Sequence, residues 1–436
     1  MKYYSTNHRA PHVSLEQAVI KGLAPDKGLY MPEEIKRIPD AFFHNIHHMS
    51  LQDIAFTVAS EFFGEDIEAR RLKEIVDDTL TFEIPLVNVN DSIFSLELYH
   101  GPTAAFKDVG ARFMARLLGY FVEKREQKKP VNVLVATSGD TGSAVANGFL
   151  NVPGCKVFVL YPKGRVSEIQ EMQFTTLDHN VTAIEVDGTF DDCQRLVKEA
   201  FVDEELNAEL FLTSANSINV ARFLPQAFYY FHAYAQYRRM GFTEAPVFCI
   251  PSGNLGNLTA GLIARRMGLP VKRFIAANNS NDVFLHYLRK GEYIPCASRQ
   301  TIANAMDVGA PSNFARILDL YDHSHKAVCE EISGVSYPDQ AIRHTLAWVY
   351  ENEHYLLDPH GACGYQALCD LLQPDEQGIF LETAHPAKFK DTVESIIGQE
   401  VEVPHLLRRF MNGVKKTEHL HPVYADFRAL LLRKGS

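Results

Sequence analysis

The stretch His100-Gly101-Pro102-Thr103-Ala104-Ala105-Phe106-Lys107-Asp108-Val109-Gly110-Ala111-Arg112-Phe113-Met114 sets one lysine after small and apolar residues and directly before a helical pattern. A free lysine has a pKa of about 10.4 and is a poor nucleophile at neutral pH. Partial desolvation or a nearby cation lowers that value and yields the neutral amine that attacks a carbonyl carbon. The apolar, glycine-flanked setting of Lys107 offers such desolvation, although the same pentapeptide also fits a surface lysine opening a helix. Behind it, Phe113, Met114, Leu117, Leu118 and Phe121 fall at helical spacing. Asp108 in the first turn suits the positive end of the helix dipole. Ahead of it, Ile93 to Leu98 alternates as a short strand that runs into the lysine.

Two further strand-glycine-helix units follow. Val131, Val133 and Val135 lie among other apolar residues, as in a strand covered on both faces. They lead into Ala136-Thr137-Ser138-Gly139-Asp140-Thr141-Gly142-Ser143-Ala144 and a helix toward Phe149. A tight glycine turn at a helix start presents backbone N–H groups to an anion, and it also occurs as a plain turn. No Gly-Lys-Ser/Thr follows, so it is not a nucleotide P-loop. The second unit is the strand Pro246-Val247-Phe248-Cys249-Ile250, then Pro251-Ser252-Gly253-Asn254-Leu255-Gly256-Asn257 and a helix from Leu258 to Met267. Its glycines permit close backbone approach, and the helix start adds unpaired donors, a cradle suited to one phosphate.

Between these units, strands at Val157 to Tyr161 and Val181 to Val186 alternate with helices from Ser167 and over Asp191 to Phe201. Alternation at this spacing predicts an α/β protein with parallel sheets. The run Thr213-Ser214-Ala215-Asn216-Ser217-Ile218-Asn219-Val220-Ala221-Arg222 is dense in short polar side chains and fits helix capping. A long apolar helix is expected from Phe223 to Tyr237, with Pro225 tolerable only in its first turn. Further helices are expected over Phe314 to Tyr321, Ala341 to Glu353 and Cys363 to Leu372. The last strand, Gly378 to Glu382, ends at Thr383, and a hydroxyl at that end of a parallel strand is well placed for a ligand. The first ninety or so residues read as a mainly helical leading unit, with a capping box at Ser14 and Gln17 and helices over Asp53 to Phe63 and Ala69 to Leu80. Lys124 to Lys129 forms a charged exit from the Lys107 helix.

The totals narrow the function classes. The chain has 436 residues, enough for two or three domains with substantial cores. A net charge of −11 argues against a general basic face for nucleic acid or an anionic membrane. No apolar run reaches membrane-spanning length. Seven cysteines without a C-x-x-C, and no cleavable leader at Met1-Lys2-Tyr3, predict reduced thiols in the cytoplasm. The histidine clusters at His44, His47, His48 and at His419, His421 lack partners at zinc-site spacing, so no metal is expected.

The lysine stretch resembles the cofactor-lysine site of the threonine synthases, which reads His-Gly-Pro-Thr, two small or apolar residues, then Phe-Lys-Asp. The likeness extends over nearly the whole chain. Tyr3-Tyr4-Ser5-Thr6-Asn7 and Asp26-Lys27-Gly28-Leu29-Tyr30-Met31-Pro32 resemble the family's opening, with Asn7 replacing an arginine and Lys27 a glycine. Thr301 to Val308 resembles another family stretch, Ser-x-Ala-Met-Asp-Val. The resemblance implies the fold of the tryptophan-synthase β enzymes, pyridoxal-phosphate fold type II, with two parallel-sheet α/β domains and a mainly helical N-terminal unit. It places residues 1–95 in that unit, 96–128 with 226–436 in a large cofactor domain, and 129–225 in a small domain that moves on substrate binding. It implies pyridoxal 5'-phosphate bound through Lys107, its phosphate on Gly253, Asn254, Leu255, Gly256 and Asn257, and its ring nitrogen facing Thr383. Substrate contacts would come from Thr137, Ser138, Asp140, Thr141, Ser214, Asn216 and Arg222. The implied reaction converts O-phospho-L-homoserine and water into L-threonine and phosphate in a monomer without membrane or nucleic-acid partners. The nearer rival is a phospho-lyase giving 2-oxobutanoate, ammonia and phosphate; the more distant is a non-enzymatic interaction protein on the same fold.

Overall fold

The computed structural model describes residues 1–125 and 129–435, so part of the charged exit after Lys124 lies outside the described residues. The chain divides into two compact units. The first comprises Met1, Met31–Phe106 and Phe223–Glu402. Its sheet has six strands, in the order Ile332–Ser336, Arg273–Asn278, Val247–Pro251, Gly378–Glu382, Ile93–Glu97, Leu86–Asn88. All neighbours run parallel except the edge strand Leu86–Asn88. The central strands Val247–Pro251 and Gly378–Glu382 are buried along their whole length, as expected where both faces of a parallel sheet are covered. The strand order puts Ile93–Glu97 beside Gly378–Glu382, Glu97 opposite Glu382.

The second unit comprises Lys2–Tyr30, Lys107–Arg222 and Val403–Ser436. Its five-stranded sheet is parallel throughout, in the order Glu418–Leu420, Val181–Val186, Cys155–Pro162, Val131–Ala136, Phe211–Ser214. On one face Leu134, Phe158, Ile184 and Leu196 form a core with Phe427, Leu430 and Leu431 of the last helix, Tyr424–Gly435. The helix Lys107–Lys124 lies so close to the helix Asp140–Gly148 that a side chain at Gly148 would meet the Ala111 backbone at 3.0 Å.

Several elements differ from the sequence expectations. Residues 403–436, expected with the large domain, pair through Glu418–Leu420 with Val181–Val186 of the second unit. The leading unit is also divided: Lys2–Tyr30 groups with the second unit and Met31 onward with the first. The single helix expected from Phe223 to Tyr237 is interrupted, because the ring of Pro225 suits a 3-10 turn at Leu224–Gln226 between Val220–Phe223 and Ala227–Arg239. The seven cysteines are free thiols. Among the described residues no helix is long and apolar enough to cross a membrane.

The family departures near the N-terminus have visible consequences. Asn7 Nδ2 donates to the Asp26 carbonyl at 2.9 Å, and the Asp26 carboxylate accepts from Ser5 Oγ at 2.6 Å and Arg9 N at 3.0 Å. Lys27 holds φ at +68°, a left-handed conformation that costs a side chain about 1–2 kcal/mol relative to glycine. Glycine's looser unfolded state offsets part of that gain. Lys27→Gly is therefore expected to stabilise the protein by up to about 1 kcal/mol, read as a higher urea midpoint; an unchanged or lower midpoint means that no strain is stored there.

Candidate active site

In a parallel sheet the loops leaving neighbouring strands at their C-terminal ends converge, and that edge is where ligands bind. In the first unit, Val247–Pro251 and Gly378–Glu382 are neighbours with Val247 opposite Gly378, so Ser252 and Thr383 leave their strands level with one another. The loop after the first strand runs into the helix Gly256–Arg266, whose opening N–H groups lack intrahelical partners. Its geometry is held from behind. Asn254 Oδ1 accepts from Ser312 N at 2.7 Å, and the Asn254 carbonyl accepts from Asn313 Nδ2 at 3.1 Å. Leu255 adopts φ +61°, a strained conformation for a branched side chain and one that clusters at functional loops. Gly253 is required by space, since a Cβ there would lie 2.9 Å from the Ala305 carbonyl oxygen and the Met306 Cα.

These residues fit the phosphate of pyridoxal phosphate. Asn257 Oδ1 accepts from Tyr230 Oη at 2.8 Å, while its buried Nδ2 has no hydrogen-bond partner among the described residues. An orphaned donor beside an unpaired helix start is the complement of an anion. Thr383 is buried, with 8% exposure. Its backbone carbonyl accepts from Phe106 N at 2.9 Å, and His385 N donates to the Ala104 carbonyl at 3.1 Å. The segment that immediately precedes Lys107 is thereby tied to the segment carrying Thr383. Ala104 reaches this pairing with φ +54°.

In the second unit Lys107 is half-buried and is the first residue of the helix Lys107–Lys124. The loops after Val131–Ala136 and Phe211–Ser214 also leave adjacent parallel strands, and Asn216 Nδ2 joins them by donating to the Ala136 carbonyl at 3.0 Å. Thr137 is spent inside its own loop: Oγ1 accepts from Gly139 N at 2.9 Å and Gly142 N at 2.8 Å. Asp140 Oδ1 accepts from Gln170 Nε2 at 2.8 Å. Ser138 and Thr141 are the half-exposed members of this turn. Ser214 Oγ accepts from Asn216 N at 3.3 Å, and the buried Arg222 guanidinium donates to the Ala215 carbonyl. The polar run Thr213 to Arg222 begins as strand, and Asn219 Nδ2 fastens it by donating to the Val19 carbonyl at 2.8 Å.

No sequence pattern joins one further group of residues. Around the start of Gly378–Glu382's following loop lie Glu97, His100, Tyr355, Asp358, His360, Glu382, His385 and Lys388, contributed by separate parts of the first unit. His100 Nε2 meets Glu97 Oε2 at 2.7 Å, and Tyr355 Oη donates to Glu97 Oε1 at 2.8 Å. Burial opposes ionisation of Glu97, yet these hydrogen bonds hold its pKa below the usual range. Burial, then the neighbouring His100, lowers the His385 pKa to about 4. Lys388 is a buried lysine; its ammonium donates to the Thr103 carbonyl at 2.8 Å and so braces the His-Gly-Pro-Thr turn.

Comparison with known proteins gives the family. The family described as pyridoxal-phosphate dependent enzyme matches residues 81–379, the threonine synthase N terminus matches 2–80, and the threonine synthase C-terminal family matches 361–430. The chain is 42% identical over 435 residues to threonine synthase of Escherichia coli (strain K12), covering 99% of both. The crystal structure of threonine synthase from Escherichia coli superposes with a TM-score of 0.92 at 40% identity, over 99% of this chain and 100% of that one. A pyridoxal-phosphate-bound threonine synthase from Brucella melitensis gives a TM-score of 0.93 at 33% identity, over 100% of this chain and 99% of that one. Matched along nearly its whole length by these family models and relatives, the chain belongs to the threonine synthase family of pyridoxal-phosphate-dependent enzymes.

Proposed function

We propose that the chain converts O-phospho-L-homoserine and water into L-threonine and phosphate, with Lys107 as the residue that holds the cofactor and then moves the substrate's protons. The observation that carries this reading is the attachment of Lys107 to a segment hydrogen-bonded to Thr383. Bound pyridoxal phosphate would supply an electron sink for bonds broken at the substrate's α-carbon. With the cofactor bound, the Lys107 amine would lie beside that carbon and would serve as general base and later acid. Gly253 to Asn257 hold the phosphate through backbone N–H groups and the Asn257 amide. Thr383 offers a neutral hydroxyl to the ring nitrogen, which tunes electron withdrawal without fixing a full charge there. Thr137 and Asp140 shape their loop, leaving Ser138 and Thr141 to meet the substrate carboxylate. Ser214, Asn216 and Arg222 form the polar wall for the substrate phosphate.

Incubation with O-phospho-L-homoserine tests the reaction directly. Threonine and phosphate are expected in equal amounts with little ammonia; stoichiometric 2-oxobutanoate without threonine would sink this reading in favour of the phospho-lyase. Thr383→Ala should keep the cofactor bound and lower kcat about threefold to tenfold, the worth of one hydrogen bond of about 0.5–1.5 kcal/mol. An unaltered kcat would make Thr383 purely structural. The same reading carries a monomeric, cytoplasmic enzyme, and a sedimentation mass near twice 49.1 kDa overturns the first of these.

A further inference from the structure

We propose that Glu382 is a positioning residue, held in the folded protein as a neutral carboxylic acid, which joins the strand end carrying Thr383 to the loop backing Gly253. The starting point is a juxtaposition of acids. Strands Ile93–Glu97 and Gly378–Glu382 pair in parallel with Glu97 directly opposite Glu382. Like charges at opposed positions in a sheet repel, and the repulsion grows in a buried setting. The partners of Glu97 include His100 and Tyr355. Glu382 is 0% exposed and has no ion-pair partner among the described residues. Its Oε1 accepts from Asp358 N at 2.6 Å, while Oε2 has no hydrogen-bond partner among the described residues.

The surroundings leave little alternative to a proton. Glu382 Oε2 lies against the Gly361 backbone, so close that a Cβ on Gly361 would be 1.4 Å away. The titratable groups facing Glu382 are Asp358 at the start of the helix Pro359–Leu371, Glu97 and Tyr99 from the neighbouring strand and its exit, and Tyr355 from the preceding loop. His360 is bonded to Asp358, and His100 to Glu97. His385 and Lys388 follow on its own segment, with the Lys388 ammonium bonded to the Thr103 carbonyl. The positive helix start is already capped, since Asp358 Oδ1 accepts from Gly361 N at 2.7 Å. Burial first, then the Asp358 carboxylate, drive the Glu382 pKa well above the usual carboxylate range.

From Glu382 a continuous chain of contacts runs to the glycine loop. Asp358, fixed by Glu382, accepts at Oδ2 from His360 Nδ1. His360 Nε2 accepts from Ala305 N at 3.1 Å, which assigns the Nδ1–H tautomer of a neutral imidazole. The Ala305 carbonyl oxygen and Met306 Cα are in turn the atoms that a side chain on Gly253 would meet at 2.9 Å. The significance for the cofactor rests on the reading of Thr383 and Gly253 above; the protonation state does not.

Infrared difference spectroscopy of wild type against Glu382→Gln at neutral pH tests the acid. The expected result is one protonated-carboxyl C=O band that Glu382→Gln removes, with or without cofactor; its absence overturns the proposal. A stability measurement gives an independent check. A folded pKa raised above the unfolded value, about 4.3 for glutamate, means stability fully present below that pH and lost as pH rises. Folding of wild type therefore takes up one proton from about pH 5 up to the raised folded pKa, and over that range the folding equilibrium of Glu382→Gln should gain on wild type about tenfold per pH unit. A constant difference overturns it equally. For positioning, Glu382→Leu, which removes the acceptor for Asp358 N, should weaken pyridoxal-phosphate affinity at least about tenfold while Glu382→Gln rescues it to within about threefold. Equal losses in both variants overturn the neutral-acid role, and no loss in Glu382→Leu overturns the positioning role.

Discussion

Lys107→Ala is expected to lower turnover of O-phospho-L-homoserine by about 10,000-fold or more, the upper range for removing a general base. The substitution deletes both functions proposed for that amine, covalent attachment of the cofactor and proton transfer at the substrate's α-carbon. Folding should be little affected, because alanine is a strong helix former at the start of Lys107–Lys124 and the residue is only half-buried. Wild type reduced with borohydride should carry the cofactor on Lys107, and the variant should carry none. The informative rival is Lys388, which is buried and lies by the same His-Gly-Pro-Thr turn. Peptide mapping that found the label on Lys388 would remove the case for Lys107 and make the turn-bracing hydrogen bond incidental.

Gly253→Val carries the second largest expected effect. Its first side-chain carbon would sit 2.9 Å from the Ala305 carbonyl oxygen and the Met306 Cα, both backbone atoms that cannot swing aside. Relief therefore requires the glycine loop to move away from its support. Overpacking of this kind costs about 1–3 kcal/mol, and the displaced N–H groups lose their aim at the phosphate. Pyridoxal-phosphate affinity is expected to fall about tenfold to 100-fold or more in a protein that still folds. A folded variant with wild-type affinity would place the phosphate elsewhere.

Local patterns carried the fold where the chain repeats a strong apolar signal. Val181–Val186 and Gly378–Glu382 match their expected spans because short apolar runs end there in turn residues. Ile332–Ser336 escaped notice: it is an edge strand with two apolar side chains and half-exposed positions, so its sequence resembles a loop. Phe211–Ser214 was hidden by the polar run it enters, and Glu418–Leu420 by its brevity. At the site, the Gly253 loop was legible because strand, glycine and helix follow one another in sequence. The bonding of Thr137 was not legible, since spacing cannot show that its hydroxyl accepts from Gly139 N and Gly142 N. The acid cluster of Glu97, Asp358 and Glu382 had no local signature at all. Its members meet only because the strand order inserts an early strand beside the last one of the large sheet.

The assembly of the second unit from Lys2–Tyr30, Lys107–Arg222 and Val403–Ser436 bears on how the protein is made. A ribosome extends a chain at about 5–20 residues per second, so Arg222 emerges roughly 10–40 s before the C-terminus. During that interval Leu134, Phe158, Ile184 and Leu196 lack the cover of Phe427, Leu430 and Leu431, and the strand Val181–Val186 lacks its edge partner Glu418–Leu420. The usual order, in which N-terminal domains finish folding first, is thus unavailable to this unit. Nascent chains should need protection of that apolar face until release, and a stop codon before Val403 should yield an aggregating product even though the sheet of the first unit is fully encoded.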